Sequence, residues 1–107
     1  MTAGNMIVRV WRYRVAEPQR EEFERRYGAD GDWAQLFRLA DGYLGTQLLR
    51  DPLAPGVYLT IDRWRSAADF QTFLARFGAQ YAALDRACDA LTSEETDLGQ
   101  YEDTGPG

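Results

Sequence analysis

The sequence predicts an α+β fold in the ferredoxin-like order β-α-β-β-α-β, an antiparallel sheet with its helices on one face. Three observations carry that prediction. Residues 6–15, 43–50 and 57–64 read as strands, and the third alternates Val57, Leu59 and Ile61 with Tyr58, Thr60, Asp62 and Trp64, the period of a strand with two unlike faces. Helical stretches with apolar stripes follow the first and third of these segments. A loop of turn formers, Asp51-Pro52-Leu53-Ala54-Pro55-Gly56, joins the second to the third as an antiparallel hairpin.

The first strand, residues 6–15, is dense in Ile, Val, Trp and Tyr. Pro18 follows, where its missing N–H costs a first helical turn nothing. Phe23 and Tyr27 share one face of that helix, and Glu21/Arg25 and Glu22/Arg26 make i,i+4 pairs on the other. Gly28 and Asp30-Gly31 interrupt it. A second piece starts at Asp32, in capping-box spacing with Gln35, and points Trp33, Leu36, Phe37 and Ala40 inward. Asp41-Gly42 ends it ahead of the second strand, Tyr43–Arg50. After the third strand, Ser66-Ala67-Ala68-Asp69 has the spacing of another capping box. The stripe Phe70, Phe73, Leu74, Phe77, Tyr81, Leu84, Cys88 and Leu91 then follows one helix face, with a bend expected at Gly78. Residues 94–102 supply a short acidic strand and 104–107 a loose tail.

A chain of 107 residues, 45% hydrophobic, suits one domain spanning 1–107 with its core at about 6–102. No run reaches the length of a membrane span and no signal-peptide order opens the chain, so a cytoplasmic protein without membrane contact is expected. The single Cys88 rules out an internal disulfide. A net charge of −5 argues against a nucleic-acid partner. All twelve basic residues are arginines and histidine is absent. Schiff-base catalysis therefore has no lysine, and a Ser-His-Asp triad, a His-ligated metal and a His-ligated haem have no imidazole. A site with neither cofactor nor metal is expected. On the sheet, the apolar side formed by Val57, Leu59, Ile61 and much of strand one is too large to face water. A homodimer packing sheet against sheet would cover it.

Three motifs carry a family resemblance: Val10-Trp11-Arg12-Tyr13 on strand one, Gly42-Tyr43-Leu44-Gly45 opening strand two, and Asp62-Arg63-Trp64-Arg65-Ser66 closing strand three. Together they resemble the antibiotic biosynthesis monooxygenase (ABM) domain, a family of the dimeric α/β-barrel superfamily. The resemblance runs from about residue 6 to 102. It implies a homodimer with a pocket in each subunit between sheet and helices. Some members oxidise polycyclic phenols to quinones with O₂ and no cofactor, others degrade haem, and many have no known activity. The tryptophan of the oxygenases maps onto Trp64. Their asparagine four residues before it is Thr60 here, and their tyrosine six residues after it is Phe70. The haem-degrading members use a helix histidine, which this chain lacks.

The expected reaction is cofactor-independent monooxygenation of an electron-rich polycyclic phenol or enol. A second reading is a non-catalytic ligand-binding or accessory dimer of the same fold. Trp64, Asp62 and Thr60 are the candidate catalytic residues: Trp64 to stack on a planar substrate or else fill the sheet–helix seam, Asp62 to act as base or else pair with Arg9, Arg12 or Arg63, and Thr60 to hold a water. Tyr43, Phe70, Arg9 and Trp33 are the candidate substrate-binding residues. Tyr43 would orient a substrate oxygen or pack near Gly42. Arg9 would hold an anionic group or form a salt bridge. Trp33, on a short helix flanked by glycines, would belong to a lid or anchor the core. Trp11 and Tyr13 are assigned to core or dimer interface, and Cys88 is read as a packed thiol.

Overall fold

The computed structural model describes residues 5–105. Four strands, β1 (Ile7–Arg14), β2 (Tyr43–Arg50), β3 (Val57–Trp64) and β4 (Glu94–Glu102), form one sheet in the order β2-β3-β1-β4. Every neighbouring pair is antiparallel. The helices are α1 (Arg20–Tyr27), α2 (Asp32–Phe37) and α3 (Ala67–Cys88), with a 3₁₀ turn ahead of α1 and another after α3. This is the expected ferredoxin-like arrangement. Residues 106 and 107 of the predicted tail lie outside the described residues.

β1 and β3 form the sheet centre, and their register pairs Arg9 with Asp62, Trp11 with Thr60 and Tyr13 with Tyr58. One face of that pair meets the helices: Ile7, Tyr13, Tyr58, Thr60 and Trp64 are all buried. Phe23 of α1 packs on Tyr13 and Tyr58, and Phe73 of α3 packs on Trp64. The other face carries Val8, Val10, Val57, Leu59 and Ile61, each only half-buried, beside Leu49, which is 42% exposed. So the mixed polar and aromatic side of β3 faces inward, and its outer side, aliphatic from Val57 to Ile61 with Arg63 at the end, has no cover among the described residues.

Two glycines set the edges of the sheet. Register slips between Tyr43 and Gly45 on β2, where Gly45 has φ +139°, so Leu44 is an extra residue. It slips again on β4, where Trp11 pairs with Asp97 and Val10 with Gly99, whose φ is +106°. Each bulge reverses the strand's alternation beyond it.

The predicted caps are realised in part. Ser66 Oγ accepts from the Asp69 amide at 3.1 Å, but the Asp69 carboxylate is held by Arg65 and the Ser66 hydroxyl rather than closing a reciprocal box. At α2 the expected box is absent. Gly31 is the N-cap, Gln35 donates to the Asp30 carbonyl, and Asp32 pairs with Arg26 at 3.3 Å. In α1 it is Glu22 that joins both Arg25 and Arg26, and the predicted Glu21/Arg25 pair does not form. α3 bends at Phe77, one residue before Gly78.

Candidate active site

Between sheet and helices lies a recess of about 460 Å³, counting the open space at its mouth. Its inner part leaves about 50 Å³ to the centres of water molecules, enough for a few waters. Trp11 and Tyr13 of β1, Thr46 of β2, Thr60 and Asp62 of β3 and Glu95 of β4 form the floor. The roof is Tyr27 of α1, Trp33 and Phe37 of α2, and Tyr81 and Asp85 of α3. The walls are thus largely aromatic, with three carboxylates and no basic side chain.

Asp62 is the chemically distinctive member. Its Oδ1 accepts from Thr46 Oγ1 at 2.6 Å, and Oδ2 has no hydrogen-bond partner among the described residues. Burial pushes its carboxyl up from 3.8 to about 6, against the opposing pull of the Thr46 hydroxyl and the Arg9 charge. None of the arginines expected as partners pairs with it among the described residues. Arg9, directly opposite in register, reaches Asp97 at 3.3 Å and lies 5.1 Å over the Phe70 ring. Arg63 donates to Gln47.

Of the other predicted residues, Thr60 and Trp33 line the recess together with Asp62. The Thr60 hydroxyl is engaged with Tyr13 Oη at 3.2 Å. Trp33 is buried against Tyr27, Phe37 and Tyr81, with Nε1 lacking a partner among the described residues. Four predicted residues do not line it. Trp64 is 0% exposed and sits one layer behind, its indole 5.6 Å from Phe37, 5.4 Å from Tyr43 and 5.3 Å from both Phe70 and Phe73. Of its two alternatives, Trp64 is placed in the sheet–helix seam, and Phe37, the residue it packs on, lines the recess. Phe70 is likewise packed between Trp64 and Arg9. Tyr43 meets the site from behind, through Thr46, to which its hydroxyl lies at 2.6 Å, and through Phe37, whose ring lies 5.4 Å from its own. Arg9, spent on Asp97, leaves the recess without a cation for an anionic ligand.

Trp11 and Tyr13 belong to the recess, where core or interface was expected; Tyr13 is core as well. Thr46, Asp85 and Glu95 went unrecognised. The parity of a regular strand puts Thr46 on the face opposite Tyr43, and only the slip at Leu44 turns it inward to pair with Asp62. The Gly99 bulge and the Tyr13 pairing do the same for Glu95. Glycine inside a strand pattern is the available signal for both. Asp85 lies one turn beyond Tyr81 on α3, a spacing that puts the two on one face.

Similarity to known proteins agrees with this fold. The sequence model of the family described as antibiotic biosynthesis monooxygenase (ABM) matches residues 6–83. No curated protein matches the chain. Among solved structures it is similar to SnoaB, a cofactor-independent oxygenase from Streptomyces nogalater, at 24% identity and TM-score 0.67 over 97% of this chain and 100% of that one. PA3566 from Pseudomonas aeruginosa is similar at 17% identity and TM-score 0.69, over 98% and 100% of the two chains. A conserved protein from Methanosarcina mazei shares 12% identity at TM-score 0.70, over 94% of each. At such identities the likeness is one of fold. With the family model covering most of its length, the chain belongs to the antibiotic biosynthesis monooxygenase family.

Proposed function

We propose that the protein is a cofactor-independent monooxygenase acting on a neutral, electron-rich polycyclic phenol or enol. The observation that supports this most is Asp62: a half-buried carboxylate with one oxygen held by Thr46 and the other free, in an aromatic recess. Held up at about 6, it is largely ionised at neutral pH yet basic enough to take a proton from carbon or oxygen. The carbanion or enolate so formed gives an electron to O₂, and the radical pair combines into a peroxide. Loss of water then leaves a carbonyl: one oxygen atom stays on the ring carbon, and the other departs with the two hydrogens that carbon carried. Trp33, Phe37 and Tyr81 cover the substrate from the helix side and keep bulk water from the enolate. That SnoaB is a cofactor-independent oxygenase adds support by analogy of fold.

Oxygen uptake with anthrone, together with mass-spectrometric detection of the quinone, tests the reading. Uptake no faster than in a protein-free control would sink it. The engagement of Thr60 with Tyr13, where a free hydroxyl was expected, favours a second reading, ligand binding without turnover. In that case aromatic ligands raise the melting temperature, following mass action, while oxygen consumption stays at background.

Charge in the recess leads to a prediction about selectivity. Asp62, Asp85 and Glu95 all line it, and Arg9 is occupied by Asp97. 2-Naphthoate is therefore expected to bind about tenfold or more weakly than 2-naphthol, measured by quenching of tryptophan fluorescence. Equal affinities would show that the carboxylates do not face the ligand.

The working form we propose is a homodimer joined through the outer sheet face. Val8, Val10, Leu49, Leu59 and Ile61 form an aliphatic surface without cover among the described residues. Placing a charge at its centre, Leu59→Glu, is expected to convert the dimer to a monomer in sedimentation velocity. A variant that still sediments as a dimer would move the interface elsewhere.

A further inference from the structure

A hydrogen-bonded path leads from Asp62 through Thr46, itself in the floor of the recess, to Tyr43, which does not line it. Thr46 Oγ1 donates to Asp62 Oδ1 at 2.6 Å, and Tyr43 Oη lies 2.6 Å from the same Thr46 oxygen. A threonine hydroxyl has a single hydrogen, and an ionised carboxylate can only accept. The direction is therefore determined: Tyr43 donates to Thr46, and Thr46 donates to Asp62. Tyr43 is the outer end of the path, only partly buried at the start of β2.

We infer that Tyr43 and Thr46 form a proton conduit through which Asp62 exchanges its proton with bulk water while substrate fills the recess. This rests on the proposal that Asp62 is the base, and adds the route by which the base is set. When substrate occupies the recess, water reaches Asp62 poorly from that side, and a carboxyl held near the middle of the pH range must still reach its ionised form. After a proton arrives, a half-turn of the carboxyl group presents its O–H to Thr46. Thr46 passes its own hydrogen to Tyr43, and Tyr43 releases its own to solvent. Each hydroxyl gains one proton and loses one, so nothing is left over except a proton in water. The reverse sequence reprotonates the acid. The groups that border Asp62 elsewhere are Arg9 opposite it on β1, Tyr13, and Tyr81 of α3. None of them hydrogen-bonds to it.

The bulge is what creates the path. In an unbroken strand Thr46 would face away from Asp62, three residues along from Tyr43; the extra Leu44 and the φ of +139° at Gly45 put both hydroxyls on the inner face. A local irregularity of this kind beside a site commonly re-aims a side chain.

The test uses anthrone, whose acidic hydrogens are on carbon, with the whole protein under argon in D₂O. With O₂ absent, the base removes a proton and can only return one. An exchanging base returns deuterium, whereas an isolated base returns the original hydrogen. Mass spectrometry of recovered anthrone, corrected for a protein-free control, reads the difference. Wild type is expected to wash deuterium in. Tyr43→Phe and Thr46→Val are expected to do so about tenfold or more slowly, and Thr46→Ser to restore the rate. Oxygen uptake in air is expected to fall less than washout in the two slow variants, because the base itself remains. If Tyr43→Phe and Thr46→Val exchange as fast as wild type while Asp62→Asn does not exchange, the conduit is overturned and the base stands. If Asp62→Asn exchanges at the wild-type rate, the base assignment fails, and the conduit with it.

Discussion

Asp62→Asn is expected to lower anthrone-dependent oxygen uptake by about 10²–10⁴-fold, the range that a positioned general base supplies. The amide keeps the shape and can still accept from Thr46, so the loss reports the missing base rather than a collapsed recess. In wild type, kcat/KM is expected to rise with pH through about 6 and level off above it, because only the ionised carboxylate accepts a proton. The same residue leaves a mark on stability, and the sign is specific. Folding holds the carboxyl near 6 against 3.8 for an ordinary aspartate, so the folded state favours the protonated form. That contribution is fully present below pH 3.8 and is lost as pH rises through about 6. The displacement from 3.8 to about 6 is worth up to about 3 kcal/mol. Asp62→Asn cannot ionise, and is therefore expected to gain stability relative to wild type between pH 4 and pH 8, measured by urea denaturation at the two values. A variant that keeps wild-type activity would remove Asp62 from the chemistry. Unchanged relative stability would show that the carboxyl is not desolvated.

Trp64→Ala is expected to cost about 3–5 kcal/mol, the usual loss for an aromatic truncated in a closed core. Fully buried, Trp64 contacts four rings, Phe37, Tyr43, Phe70 and Phe73, from three different elements. Trp64→Phe should be much milder. It removes ring volume, but also removes an indole N–H that is buried without a partner, a group whose desolvation costs about 1–3 kcal/mol. Because Phe37 separates Trp64 from the recess, Trp64→Phe is expected to hold kcat within roughly threefold. A fall of kcat beyond tenfold in a variant with near-native stability would mean that the indole contacts substrate, as the sequence comparison with oxygenases suggests.

Much of the fold is legible in local chemistry. The alternation in β3, the turn formers before Val57 and the stripe from Phe70 to Leu91 each name an element. Part of the site is legible too, since Thr60 and Asp62 are polar residues on the inward side of a central strand. The remainder depends on contacts between segments far apart in the chain. Whether Trp64 lines a recess or lies behind it is decided by where Phe37 of α2 lands, 27 residues earlier in the chain. Periodicity carries no information about depth.

By itself the sequence determined the element order, the inward polar face of β3, the aliphatic outer face, and the absence of lysine and histidine chemistry. These follow from residue identity and spacing, which act locally. Tertiary structure alone decided that Arg9 is spent on Asp97, that Asp62 is left with one free oxygen, and that Thr46 and Glu95 join the site. The physical reason is the pair of edge bulges at Leu44–Gly45 and Leu98–Gly99. One extra residue in a strand turns every side chain beyond it to the other face, and that turn exists only in the pairing with a neighbour.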